Sequence, residues 1–202
     1  MRNPLVVAKS FATIDQLSGG RTILGTAAGW LKAEFDALGI PFEERGPRTD
    51  EALSMIQRMW TDDNITEDYP VHGASFASMR MKPTPVGHVP IWIGGHAKVA
   101  LDRAVRVGDG WHGGFLRLDE TIKTVAYLRE RRPEPEFVIS MRTRWDPQVN
   151  KPDDILRELD AYREAGVRHF VPEPAQRTED GYLRSIEELA VLLQRGGVEM
   201  AT

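Results

Sequence analysis

The sequence predicts an α/β fold in which parallel strands are covered by helices. Three observations carry this. From Thr22 onward, short apolar runs alternate with segments of helical period, the order expected of parallel strands joined by crossover helices. Residues 90–111, P-I-W-I-G-G-H-A-K-V-A-L-D-R-A-V-R-V-G-D-G-W, contain a complete strand–helix–strand unit with a glycine pair at its first turn. The 202 residues are also enough to bury one sizeable core.

The chain opens with a predicted helix over residues 4–17. Pro4 suits a first turn, and Leu5, Ala8, Phe11, Ala12 and Ile14 share a broad apolar face. Gly19 and Gly20 stop it, since glycine takes the left-handed C-cap conformation without strain. Residues 21–25 read as a short strand, and 25–30, G-T-A-A-G-W, as a small-residue loop at its end. Residues 31–38 are a helical piece closed by Gly39, and 41–49 a charged loop. Residues 50–60 form an amphipathic helix with Leu53, Ile56, Met59 and Trp60 on one face.

Residues 61–89 break the alternation. They carry Pro70, Gly73, Pro83, Pro85 and Gly87 and no helical period. A loose β-hairpin insertion is expected here, 65–69 against 75–81. Long connections tend to be functional or mobile, so a lid and a plain surface insertion both stand as readings.

Residues 90–93 are then a strand. A helix follows, with Ala97, Ala100, Leu101, Ala104 and Val105 at helical spacing, and a second strand opens at Asp109, Gly110 and Trp111. Helix 118–131, strand 137–142, helix 152–165, strand 169–172 and helix 181–194 complete the series, with a frayed tail over 195–202. About five parallel strands are expected, near Ile23, Trp92, Trp111, Ile139 and Phe170.

Composition narrows the function. A hydrophobic content of 41% and a charged content of 28% describe an ordinary soluble globular chain. The net charge of −4 gives no pointer to nucleic acid. No apolar run approaches the roughly 18 residues of a membrane span, and the N-terminus lacks a signal peptide's apolar stretch. A cytoplasmic protein with neither a membrane nor a nucleic-acid partner is expected. The absence of cysteine rules out disulfides and thiolate chemistry. No two of the five histidines have metal-ligand spacing with a carboxylate nearby, so no metal is expected. There is no G-x-S-x-G elbow, P-loop or dinucleotide fingerprint.

Gly94, Gly95 and His96 lie between a strand end and a helix start. Unpaired N–H groups and the helix dipole suit a phosphate there, and glycine permits close approach. On local pattern alone a phosphate site and a plain tight turn are equal readings. Arg142 and Arg144 after one strand, and Glu173 after another, suit either an anionic ligand or a salt bridge.

Several separate motifs carry a resemblance. R-T-I-L-G-T-A-A-G-W-L-K-A-E-F-D-A-L-G-I-P-F-E-E-R comes first, then R-T-D-E-A-L-x6-W, K-P-T-P-x4-P-I-W-I-G-G-H and G-D-G-W-H, in that order. Together they resemble the luciferase-like monooxygenase superfamily, and within it the deazaflavin (coenzyme F-420)-dependent oxidoreductases, over about residues 4–172. The resemblance implies a (β/α)8 TIM barrel, a fold that typically takes about 250 residues. Its opening helix resembles the family's third barrel helix. Residues 1–202 are therefore expected to be a single partial barrel domain without the first three strands. A shortened gene product, completion by a second copy or another chain, and independent repacking are the three readings of that shortfall. An exposed sheet edge favours an oligomer.

The implied activity is hydride transfer between coenzyme F-420 and a small organic substrate. An FMN-dependent monooxygenase is the alternative, and a non-catalytic relative serving as a partner subunit is a third reading. The resemblance assigns the cofactor's phosphate to the turn at Gly94 and Gly95, with His96 either adding a ring contact or facing solvent, and its ring to Gly25, Thr26, Ala27 and Trp30. Ala27 stands where the family commonly has glycine. Glu34 and Arg45 are either at the same mouth or on the surface. His112 lies at a strand's C-terminal end, where barrel enzymes place reactive groups; it is the candidate acid or base. Trp111 and Arg142 are the candidate substrate contacts.

Overall fold

Asn3 starts the first helix, α1 (Pro4–Ser18), by accepting the Leu5 amide at 2.9 Å, with Pro4 inside the first turn. Gly19 ends it with φ 68°. The computed structural model describes residues 2–200 and comprises two units, Met1–Gly94 and Gly95–Thr202.

In the first unit α1 packs against α3 (Arg45–Thr61). Ala8, Ala12 and Met59 are fully buried, and the Trp60 indole N–H donates to the Ala8 carbonyl at 3.0 Å. β1 (Leu24–Thr26) runs parallel to β4 (Ile91–Gly94), with Leu24 opposite Ile91 and Thr26 opposite Ile93. Between them lie α2 (Lys32–Ala37), α3 and an antiparallel hairpin, β2 (Ile65–Tyr69) with β3 (Ala74–Met79). The hairpin buries Ile65 and Tyr69. Its tip is fastened to α3: Glu51 accepts the Val71 and His72 amides at 3.0 and 2.7 Å, and Arg48 donates to the Val71 carbonyl at 2.6 Å.

Residues 41–49 differ from the charged loop expected. They form a 3-10 turn, Phe42–Glu44, and the start of α3. Pro47 falls in the first turn of that helix, where an N–H has no intrahelical partner, so proline is tolerated.

The second unit contains α4 (Lys98–Val107), β5 (Gly110–Gly114), α5 (Leu118–Arg131), β6 (Val138–Thr143), α6 (Pro152–Ala165), β7 (His169–Pro172) and α7 (Glu179–Arg195). Its strands are parallel in the order β5, β6, β7. Ile139, Ser140 and Met141 are each fully buried, so β6 is covered on both faces, as parallel strands between helices require. α5 buries Thr121, Val125 and Leu128, and α6 buries Ile155, Leu159 and Tyr162, each set at helical spacing. Among the described residues, parallel strands thus number five, two in the first unit and three in the second.

Asp146 fixes the loops of this unit. Fully buried, its carboxylate accepts the Gln148 amide (3.0 Å), the Ser185 hydroxyl (2.8 Å), the Ala175 amide (3.0 Å) and Gln176 Nε2 (2.9 Å). Burial works to raise its pKa, but these donors prevail and hold the carboxyl below its ordinary range. The tail expected to fray from residue 195 is held beyond that point. Arg195 completes α7, the Val198 amide donates to the Leu193 carbonyl at 2.9 Å, and Arg163 donates to the Gly196 and Gly197 carbonyls. Residues 201 and 202 of that expected tail lie outside the described residues.

Candidate functional site

The first unit has a cavity of about 570 Å³ lined by Gly25, Thr26, Ala27, Arg45, Arg48 and His72. A Cβ added at Gly25, in the middle of β1, would meet nothing within 4 Å, so that face of the strand is open. Arg45 lies over the Phe42 ring at 3.9 Å and donates to the Phe42 carbonyl at 2.9 Å. Trp30 is 81% exposed and is not among the lining residues; Glu34 is exposed on α2.

His72 is a feature that sequence reasoning does not reach. Its Nδ1 lies 2.6 Å from Glu51 Oε2. Burial acts to raise the Glu51 pKa, but the bonds from His72 and the two backbone amides outweigh it and leave the carboxyl below its ordinary range. An ionised carboxylate there accepts from Nδ1 and so fixes a proton on that nitrogen. The two residues stand 21 apart and meet because the hairpin tip docks on α3. No local pattern announces that contact.

Gly94 ends β4, and Gly95 starts the turn that leads into α4. Gly95 has φ +121°, and a Cβ there would lie 2.9 Å from the Ala100 Cβ, so both backbone conformation and space demand glycine. α4 has Ala97 at its N-cap and no side-chain cap, so its leading N–H groups and dipole remain open to an anion. His96 is exposed, edge-on to the Trp111 ring at 6.4 Å.

Trp111, expected as a substrate contact, is fully buried, and its indole N–H donates to the Gly95 carbonyl at 2.9 Å. The structure gives it the task of holding the turn. It can lie there because residue 113 is glycine: a Cβ at Gly113 would fall 2.2 Å from Trp111 Cη2.

β5, β6 and β7 align a polar ladder. His112 stands opposite Ser140, and Ser140 opposite His169. Ser140 Oγ lies 2.8 Å from His112 Nδ1 and 2.9 Å from His169 Nδ1. Ser140 is fully buried and both imidazoles are half-buried. Burial pushes both histidine pKa values down; at His112 the charges of His169 and Arg142 add to the effect. Sequence reasoning finds His112 but not its two partners. The available signal is a single serine in the otherwise apolar run V-I-S-M.

These shifts have a sign. The folded chain binds fewer protons at His112 and His169 than the unfolded chain does. The stability they contribute is present above the unfolded value, about 6.5, and is lost as pH falls through the lower folded values. Denaturant midpoints are therefore expected to start falling below about pH 6.5, before the carboxylates Glu51 and Asp146 respond in more acidic solution. A His112→Gln, His169→Gln double variant should flatten that first decline. An unchanged profile in the variant would refute the assignment.

Arg142 pairs with Glu173 at 2.5 Å and lies over the Phe115 ring at 4.7 Å; Arg144 lies over the same ring at 4.3 Å. Both arginines line a cleft of about 510 Å³ with Thr143, whose buried hydroxyl has no hydrogen-bond partner among the described residues.

A model of the luciferase-like monooxygenase family matches residues 1–201. The chain belongs to this family. It is 35% identical to an FMNH(2)-dependent dimethylsulfone monooxygenase of Pseudomonas putida, over 54% of this chain and 31% of that one. It is 34% identical to an F420-dependent glucose-6-phosphate dehydrogenase of Amycolatopsis mediterranei, over 54% of this chain and 33% of that one. Among solved structures, the monooxygenase RslO1 from Streptomyces bottropensis superposes with a TM-score of 0.79 at 18% identity, covering 96% of this chain and 74% of that chain. That likeness establishes the luciferase-like fold. The curated relatives are matched over only about a third to a half of their own length. Among the described residues, no helix is long and apolar enough to cross a membrane.

Proposed function

We propose that this luciferase-like chain serves an oxidoreductase that binds a phosphate-bearing deazaflavin, coenzyme F-420, and acts on a small organic substrate. The observation that carries the reading is the turn after β4. Gly95 has no Cβ, α4 starts without a side-chain cap, and Trp111 holds the Gly95 carbonyl in place. Such a turn fits a phosphate group. When bound, the cofactor supplies the hydride chemistry; the protein's share is binding, orientation and proton handling. His112 lies at the middle of β5 rather than at the strand end expected, and, kept neutral by burial there, can take or give a proton without carrying a resident charge. The cavity beside Gly25, Thr26 and Ala27 offers room for an organic group, with Arg45, Arg48 and His72 as its polar contacts.

An FMN-dependent monooxygenase is the second reading, supported by the dimethylsulfone monooxygenase relative. Fluorescence titration separates the two. Coenzyme F-420 is expected to bind saturably with quenching, and Gly95→Ala to weaken binding by about tenfold or more, equivalent to roughly 1.4 kcal/mol. Saturable binding of FMN alone favours the monooxygenase. Binding of neither, by a chain whose circular dichroism shows it folded, removes both.

A further inference from the structure

The ladder across β5, β6 and β7 has a consequence fixed by elementary valence. Ser140 has one hydroxyl proton, and both of its neighbours approach through Nδ1, at 2.8 and 2.9 Å. A neutral imidazole carries a proton on one nitrogen only. If Ser140 donates to one Nδ1, that ring is the Nε2–H tautomer. The hydroxyl oxygen then accepts from the other ring, which must be the Nδ1–H tautomer. Two arrangements satisfy all three groups, and they are mirror images of each other.

We infer that His112, Ser140 and His169 form a proton relay, in which the shared hydroxyl holds the two imidazoles in opposite tautomers and passes a proton between them. The step balances. A proton taken up at His112 Nε2 releases the Nδ1 proton to Ser140 Oγ. The Ser140 hydroxyl proton passes to His169 Nδ1, and the His169 Nε2 proton leaves to a solvent water. One N–H bond forms and one breaks at each ring, one O–H bond forms and one breaks at Ser140, and the ladder ends neutral, as it began. The reverse passage uses the other arrangement.

The surroundings suit this role. Ser140 is fully buried on a strand covered on both faces, so the hydroxyl is shielded from competing water. Arg142, further along β6, is a charged neighbour of His112 and pairs with Glu173 beyond β7. The Arg142 charge opposes a second proton on His112, so that ring is not pinned as a cation. Ser140 and His169 are thus positioning residues for His112. The relay is independent of which cofactor the protein uses.

The test is a long-range proton–nitrogen correlation spectrum of the nitrogen-15-labelled full chain, without cofactor, in mildly alkaline solution where both rings are neutral. The expected result is one Nδ1–H ring and one Nε2–H ring, or two rings exchanging between these forms together. Ser140→Ala is expected to abolish the opposite pairing, and Ser140→Thr, which restores a hydroxyl, to recover it. Ring N–H exchange with solvent should be coupled between the two histidines in the wild type and independent in Ser140→Ala. The same tautomer in both rings of the wild type overturns the inference and needs no variant. So does opposite pairing that survives in Ser140→Ala, or exchange that is identical in the two proteins. None of these readouts depends on cofactor binding, so failure here is distinct from failure of the proposed activity.

Discussion

Replacing Asp146 by alanine is expected to cost the chain about 3 kcal/mol or more in unfolding free energy, since each buried donor left unpaired costs roughly 1–3 kcal/mol. Four donors converge on this carboxylate: the Gln148 and Ala175 amides, Gln176 Nε2 and the Ser185 hydroxyl. They come from the segment after β6, the segment after β7 and the interior of α7. Alanine removes every acceptor at once and leaves the fully buried Ser185 hydroxyl without its partner. An asparagine in place of the acid keeps the shape but turns an NH2 group toward donors, so Asp146→Asn should fall between wild type and alanine. Urea denaturation followed by circular dichroism measures both. A loss below about 1 kcal/mol for alanine, the value of one ordinary hydrogen bond, would contradict the assignment.

Gly113→Ala is expected to expel the Trp111 indole. The added Cβ would stand 2.2 Å from Cη2 and under 3 Å from two further ring atoms, and an indole cannot yield by that much in place. Overpacking of a filled core costs about 1–3 kcal/mol, and the lost bond to the Gly95 carbonyl adds about 1 kcal/mol. The indole N–H resonance of Trp111 should move or broaden. Cofactor binding at the turn should weaken with it, although residue 113 touches no ligand in the proposed site. A second substitution makes the test specific. Trp111→Leu should be costly alone, yet much less costly in the Gly113→Ala background, because the clash is already gone. Additive effects would show that the two positions do not share this contact.

The parts of the fold that the sequence discloses are those with long, regular patterns. α5 and α6 are legible because Val125, Leu128, Ile155 and Leu159 recur at helical spacing and glycine or proline marks a boundary. The hairpin is legible as a break in that pattern. The start of α3 is not, because Gly46 and Pro47 read as a loop unless one knows that they fall within the tolerant first turn. At the site, Gly95 announces itself by position. The task of Trp111 does not: a period of two says which face a strand residue takes, but not that the ring folds over the glycine two places on. The partners of His112 lie 28 and 57 residues away in the chain, Ser140 joining the two through steps of 28 and 29. Their alignment depends on strand register, which packing of the whole unit decides.

The fastening of the hairpin tip also bears on motion. Turn amides at the end of a hairpin ordinarily exchange with solvent almost as fast as free peptide. Those of Val71 and His72 instead donate to an ionised carboxylate on a helix, while Arg48 grips the carbonyl between them. With the bond between the His72 ring and Glu51, opening the tip requires four bonds to break together, and hydrogen–deuterium exchange at these two amides should run at the pace of α3. The hairpin is thus strapped down at its far end, and it borders the cavity as a wall that travels with its helix.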